Sequence, residues 1–376
     1  MKKIHIIIGT KAQLIKMAPI MVELQKRKID YNFIFTGQHK ETIKELIVVF
    51  KLKKPDYILY KGKDITKIFQ MVIWTIQCLA HTFKNKRVIF QNQKGVVLVH
   101  GDAFSALLGT IMGKIAGLKV GYVEAGLRSF DFFNPFPEEI VRRIVSRLVD
   151  YHFCFGKFAY ENSQKYKGVK IYTELNTLYD SLQLVIKNKK DIYVEIPQKK
   201  YCLISIHRFE NIFNKKQLLF IINILEEISQ QIKVLFILHK PTKEKLINFG
   251  FYQRLKENPN IELRPRYDYF DFIKLLLSSN FVITDGGSNQ EECYYLGKPC
   301  LLLRKTTERT EGLSINVIIS KYNKKIIRNF IKNYQKFKLN TLNIKTSPSE
   351  VIVDYLEDLK NGKRKNKTIL RKVSYK

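Results

Sequence analysis

The chain reads as an α/β protein made of two Rossmann-like domains facing a cleft, and three observations predict this. Apolar runs of strand length alternate with helix-length amphipathic runs from end to end. Those runs are continuous rather than alternating, as strands buried on both faces require. The whole pattern then restarts after a polar segment, Lys187-Asn188-Lys189-Lys190-Asp191 to Pro197-Gln198-Lys199-Lys200.

Taken in order, the first run, Ile4-His5-Ile6-Ile7-Ile8, follows two lysines but is too short for a secretory leader, so it is expected as a first strand. Further strands are expected at 32–36, 96–100, 119–123, 151–155 and 169–173. Between 96–100 and 119–123, the segment Phe104 to Gly117 is rich in Ala, Leu, Ile, Met and Gly and suits a tightly packed crossover helix. In the second half, strands are expected at 201–206, 233–238, 281–284 and 299–303, with a helix over 215–231. A last helix, about 347–361, opens on Thr346-Ser347-Pro348-Ser349-Glu350, a well-capped start. This gives domains at 1–185 and 186–346, the last helix, and a basic tail at 362–376. Ligands of pocket size favour the interface between two such domains.

Composition narrows the function classes. The 376 residues suffice for two or three domains of about 150 residues. At 45% hydrophobic and 27% charged, the chain is ordinary for a globular protein, and its longest apolar stretch, Ile65 to Ala80, is broken by Lys67, Gln70 and Gln77. Five scattered cysteines, an odd number without metal-ligand spacing, argue for a reducing cytoplasm. Lys and Arg number 66 against 34 Asp and Glu, a net +32. The charge is dispersed except for seven basic residues in 361–376, and no nucleic-acid motif accompanies it. It favours an anionic substrate, and weak attachment of the tail to an anionic membrane surface, over nucleic-acid readout.

Chemistry concentrates at expected strand ends. The run Val99-His100-Gly101-Asp102 and the run Tyr122-Val123-Glu124 each hand a carboxylate to a loop, and ligands sit at that edge of open sheets. Glu138 and Glu139 follow in Pro135-Phe136-Pro137-Glu138-Glu139. The alternative is structural: Asp102 caps a helix and Glu124 pairs with Arg128 or Arg142. Gly9-Thr10-Lys11-Ala12-Gln13-Leu14-Ile15-Lys16 opens the first helix, where amides and two lysines meet a phosphate or merely form a strand-to-helix turn. His207 and Arg208, after the first strand of the second domain, offer positive charge to a leaving phosphate. Thr284-Asp285-Gly286-Gly287-Ser288-Asn289-Gln290-Glu291-Glu292 places glycines and a hydroxyl between a strand and a helix, an anion nest.

Together GTKAQLIKMAP (9–19), TGQH (36–39), VHGD (99–102), VEAGLRS (123–129), PFPEE (135–139), IHRFEN (206–211), TDGGSNQEE (284–292) and TTERTEG (306–312) resemble the UDP-N-acetylglucosamine 2-epimerase family, non-hydrolysing bacterial type. The resemblance runs through nearly the whole chain in the right order. It implies a glycosyltransferase-B type fold, with the nucleotide held mainly by the second domain, the sugar facing the first, and the last helix packing back on the first domain. It implies a reaction in which the sugar C2 proton is removed and UDP expelled from C1, followed by re-protonation on the other face and re-addition of UDP. By motif matching, Asp102, Glu124, Glu138 and His207 are the catalytic candidates. Lys11, Lys16, Arg128, Arg208, Gly287, Ser288, Glu292 and Arg309 are the substrate-binding ones, with Glu292 on the ribose. No metal and no nicotinamide cofactor is expected; the partners implied are a UDP-sugar and a second copy in a homodimer.

The chain departs from the family where GTRPE is Gly9-Thr10-Lys11-Ala12-Gln13, where DSGG is Asp285-Gly286-Gly287-Ser288, and where Gly-Asn-Thr is Leu175-Asn176-Thr177. These bear on substrate choice, so a modified UDP-sugar stays open. Two other enzyme readings share the residues: a glycosyltransferase using the same donor, and a hydrolysing 2-epimerase. A polyanion-binding protein is a third, with a steep salt dependence as its mark.

Overall fold

Strands form where β-branched and aromatic residues run unbroken, because each such run is covered on both faces by helices. In the computed structural model, which describes residues 3–38, 43–62, 65, 68–132, 136–187 and 194–362, ten of thirteen strands arise this way. His39, Pro135, residues 188–193 of the expected linker, and the basic tail from 363 lie outside the described residues.

The chain divides into two units, one of 1–184 with 345–376 and one of 185–344. The first carries a seven-stranded parallel sheet of β1 Lys3–Ile8, β2 Tyr31–Phe35, β3 Tyr57–Ile58, β4 Gly95–His100, β5 Lys119–Val123, β6 Tyr151–Cys154 and β7 Val169–Tyr172. Their order is β3-β2-β1-β4-β5-β6-β7, so the direction of winding reverses between β1 and β4, at the ends that carry Gly9 and Asp102. The crossover helix Phe104–Ile115 lies close on this sheet. A side chain at Gly109 would come within 2.9 Å of Val99 and 3.0 Å of Ile7, so only glycine permits the approach.

Helix Pro348–Lys360 belongs to this first unit. Ser347 caps it by accepting from the Glu350 N–H at 3.2 Å, and the Ser349 N–H donates to Asp180 at 2.8 Å. Arg27 bridges to Asp354 at 2.7 Å and Glu357 at 3.2 Å, and Tyr355 packs edge-on against Tyr151 and Phe153.

The second unit carries β8 Tyr201–Ser205, β9 Lys233–Leu238, β10 Ile261–Pro265, β11 Phe281–Thr284, β12 Cys300–Leu302 and β13 Val317–Ile319. All six are parallel in the order β10-β9-β8-β11-β12-β13, with the reversal between β8 and β11. Its core joins Ile204, Phe236 and Ile283 of the sheet to Leu218, Ile222 and Leu225 of helix Lys215–Ser229.

The strands absent from the sequence reading are β3, β10 and β13. All three are edges, short or carrying charged residues such as Glu262 and Arg264, and so lack a continuous apolar run. Among the described residues no helix is long and apolar enough to cross a membrane.

Candidate active site

In the first unit the carboxylates stand at adjacent strand ends, because β4 and β5 are paired in register up to His100 and Val123. Glu124 follows β5 directly, is 7% exposed, and holds a backbone φ of +66°, a strained conformation for a residue with a side chain. Its Oε1 accepts from Lys16 Nζ at 2.5 Å and from Asn176 Nδ2 at 2.7 Å, and His100 Nε2 stands 3.6 Å from Oε2. Asp102, more open, pairs with Arg142 at 2.5 Å. Glu138 opens helix Glu138–Leu148 and is half-buried. The pairing is thus neither of those weighed from the sequence: Arg142 serves Asp102, and Glu124 takes Lys16.

Glu139 is fully buried among Arg143 at 2.8 Å, Arg142 at 3.6 Å and Arg128 at 4.0 Å, a charge hub inside the fold. Arg128, expected at the substrate, is turned into the same interior. Its guanidinium donates to Ser146 Oγ at 2.8 Å and lies over the Tyr166 ring, because the loop after β5 folds under helix Glu138–Leu148.

The turn after β1 also differs from a phosphate cradle. Thr10 caps helix Lys11–Lys26, and the Gly9 and Thr10 N–H groups donate to Gln13 Oε1 at 2.9 and 3.2 Å. Ser105 Oγ donates to the same oxygen at 2.7 Å, while Gln13 Nε2 donates to the His100 carbonyl at 2.7 Å. The amide therefore clamps the ends of β1 and β4 together, taking up the amides a phosphate needs. Lys11 sits partly exposed at the start of that helix, whereas Lys16 is buried with Glu124.

In the second unit the sheet reversal puts Thr284-Asp285 beside Ser205-Ile206-His207. Asp285 is fully buried and accepts from the Arg208 N–H at 2.9 Å, the His207 N–H at 3.1 Å and Asn211 Nδ2 at 2.9 Å. Its Oδ1 stands 3.3 Å from His207 Nδ1. Burial holds the His207 pKa below the usual imidazole range; Asp285 pulls it up, while Arg208 and Arg266 add to the lowering. His239, at the end of β9, stacks on the His207 ring at 4.6 Å.

Helix Gly287–Tyr295 begins at the same edge with no side-chain cap on its N-terminal amides. The cap residue must be small: a Cβ at Gly286 would lie 2.8 Å from Asn289 Oδ1 and 3.2 Å from His207 Cε1. Ser288 is half-exposed in the first turn. An unfilled helix start beside His207 and Arg208 is an anion site by dipole and by donor count. Around it Arg309 pairs with Glu291 at 2.5 Å, and Glu308 lies 3.0 Å from Arg304 and 3.7 Å from Arg208. Burial opposes the Glu308 charge, but Arg304, Arg309 and Arg208 outweigh it and draw its pKa down to about 2. Gln290 ties the loop 306–312 to this helix through the carbonyls of Arg309 and Glu311. Glu292 is buried under the helix start, where Asn289 Nδ2 donates to it at 2.7 Å.

Over residues 22–349 the chain matches the sequence profile of the family described as UDP-N-acetylglucosamine 2-epimerase. The chain belongs to this epimerase family. It is 34% identical over 334 residues to the UDP-N-acetylglucosamine 2-epimerase of Methanococcus maripaludis, spanning 84% of this chain and 87% of that one. The Methanocaldococcus jannaschii epimerase, solved in complex with UDP-GlcNAc and UDP, superposes with a TM-score of 0.76 at 28% identity, covering 94% of this chain and 99% of the other. The Staphylococcus aureus MnaA–UDP structure gives 0.81 at 26%, covering 98% and 100%. The two parallel sheets make a glycosyltransferase-B fold, shared at the level of fold alone with Acinetobacter baumannii MurG, at a TM-score of 0.50 and 11% identity.

Several roles in the candidate site escaped the sequence reading. Asn176 and Arg142 hold Glu124 and Asp102, Asp285 organises His207, and His239 covers it. The signal for Asp285 was present: a carboxylate at the end of β11, level with the end of β8 in the next strand.

Proposed function

We propose that the chain interconverts UDP-N-acetylglucosamine, or a modified UDP-N-acetylhexosamine, and its manno C2 epimer. The observation that carries this is the uncapped start of helix Gly287–Tyr295 flanked by His207 and Arg208, both fixed by Asp285. It suits a diphosphate that must leave and return. The first unit supplies what a proton at carbon needs, namely carboxylates held at strand ends.

A carboxylate from Asp102, Glu124 and Glu138 takes the C2 proton. The C–H electron pair forms the C1–C2 double bond as the C1–O bond breaks and UDP departs with its electrons. A second acid returns a proton to the opposite face of C2, and the UDP oxygen adds back to C1. His207 and Arg208, with the Gly287 and Ser288 amides, balance the diphosphate charge. Within this scheme Lys16 keeps Glu124 ionised, Lys11 faces the substrate, and Arg128 supports the carboxylate loop from inside. Glu292 and Arg309 stiffen the helix start that receives the phosphates and ribose.

The homodimer implied by the resemblance fits helix Ile68–Ile89, where Phe69, Val72, Ile73, Ile76 and Phe83 form an exposed apolar stripe at helical spacing. A second copy covering this stripe leaves Ile76→Lys monomeric in sedimentation; an unchanged sedimentation coefficient argues against that surface. Five buried, unpaired cysteines suit a reducing cytoplasm, where the product feeds surface polysaccharide synthesis. The basic tail favours weak contact with anionic membrane surfaces.

The test is conversion of UDP-N-acetylglucosamine by the purified chain without any acceptor. A mixture of the two C2 epimers is expected. UDP release that requires an added sugar acceptor, with no epimer formed, overturns the proposal in favour of a transferase.

A further inference from the structure

Three side chains from three different elements meet Glu124, and two of them donate to the same oxygen. Lys16 and Asn176 both donate to Oε1, at 2.5 and 2.7 Å, while His100 Nε2 faces Oε2 at 3.6 Å. Asn176 lies in the loop that leads from β7 into helix Leu178–Lys187 and is almost fully buried. Its own Oδ1 accepts from the Leu178 N–H at 3.2 Å and from Thr177 Oγ1 at 3.4 Å. Those two bonds fix which end of the carboxamide is which, so its NH2 must face the carboxylate.

Building on the epimerase reading, we propose that Asn176 is a positioning residue that, with Lys16, saturates Oε1 of Glu124 and so makes Oε2 the oxygen that carries the proton. The chemistry of the three neighbours supports this division. Lys16 and His100 are acid–base groups by residue type and can exchange a proton with the carboxylate. An amide cannot, and its N–H still donates to Oε1, more weakly, when Glu124 is protonated at Oε2. The bond therefore survives a full catalytic cycle, holding the carboxyl plane while Oε2 gains and loses its proton. A hydrogen bond to the charged form also favours ionisation, so Asn176 keeps the Glu124 carboxylate available as a base. The strained backbone at Glu124 is consistent with a side chain that must point one way.

The test compares the wild-type chain with Asn176→Ala and Asn176→Asp, following kcat and KM for epimerisation over about pH 5 to 9. Asn176→Ala is expected to lower kcat about tenfold to a hundredfold with KM within about threefold. The acidic limb of kcat moves to higher pH, and it moves further for Asn176→Asp, which sets a like charge beside Glu124. UDP affinity, which reads the second unit, stays unchanged, and a cooperative thermal melt with the wild-type far-UV circular dichroism reports that each variant folds; if Asn176→Ala does not fold, the near-isosteric Asn176→Asp decides alone. A kcat loss with the acidic limb unmoved overturns the assignment, as does a pure KM effect. No turnover by the wild-type chain overturns the epimerase reading instead.

Discussion

Asp285 Oδ1 lies 3.3 Å from His207 Nδ1 while the same carboxylate accepts the His207 backbone N–H at 3.1 Å. One buried acid thus fixes both the ring and the strand end it hangs from. Asp285→Asn removes the charge but keeps the shape. It is expected to lower kcat/KM by about tenfold to a hundredfold, since the diphosphate loses an oriented partner. Because Asp285 raises the His207 pKa against the effect of burial, the variant's imidazole titrates at still lower pH. An NMR titration of His207 checks the direction; an upward shift contradicts it.

Lys16 and Glu124 form a buried ion pair 108 residues apart in sequence. If Lys16 serves Glu124, Lys16→Met strands a buried carboxylate and costs about 3–5 kcal/mol of stability. Turnover falls while UDP affinity, measured by calorimetry, changes less than about twofold, well under the 1.4 kcal/mol that corresponds to tenfold. A large loss of UDP affinity instead returns Lys16 to the diphosphate.

Asp180 accepts the Ser349 N–H that docks helix Pro348–Lys360. Burial raises its pKa from 3.8 to about 6, opposed by Ser349 and Ser347. The folded state therefore binds this proton more tightly than the unfolded chain. Its stabilisation is complete below about pH 4 and is lost as pH rises to about 6, at most about 3 kcal/mol. Asp180→Asn, which keeps an acceptor for Ser349, is expected to melt higher than wild type at pH 7 and to show no slope in that window. An identical pH dependence of Tm in the two proteins contradicts this.

Glu308 behaves in the opposite sense. Its pKa falls from 4.5 to about 2 under Arg304, Arg309 and Arg208, so its stabilisation is present above about pH 4.5 and fades as pH drops to about 2. Glu308→Gln is expected to lose about 3 kcal/mol at neutral pH and to flatten that acid limb in urea titrations. A variant as stable as wild type at pH 7 refutes it.

How far the sequence carried differs between fold and site. Interior strands such as β1, β4, β8 and β11 were legible because burial on both faces demands unbroken apolar runs. The edges β3, β10 and β13 were not, since one side faces no strand and tolerates Glu262 or Arg264. Within the site, residue types at strand ends were legible, whereas pairings were not. Nothing local marks Lys16 for Glu124, Arg142 for Asp102 or Asn176 for Glu124, because those contacts depend on the order of strands in the sheet. Arg128 and Glu292 point inward for the same reason: a motif gives their positions along the chain but not the face from which they are covered.

The central claim is proton exchange at C2 coupled to reversible departure of UDP. Incubating the chain with UDP-N-acetylglucosamine in deuterium oxide and following both epimers by proton NMR tests it most directly. Loss of the C2 proton signal in substrate and product alike, abolished in Asp102→Asn, is the predicted result. Recovery of UDP-sugar with its C2 proton fully retained, at enzyme levels that bind UDP, contradicts it.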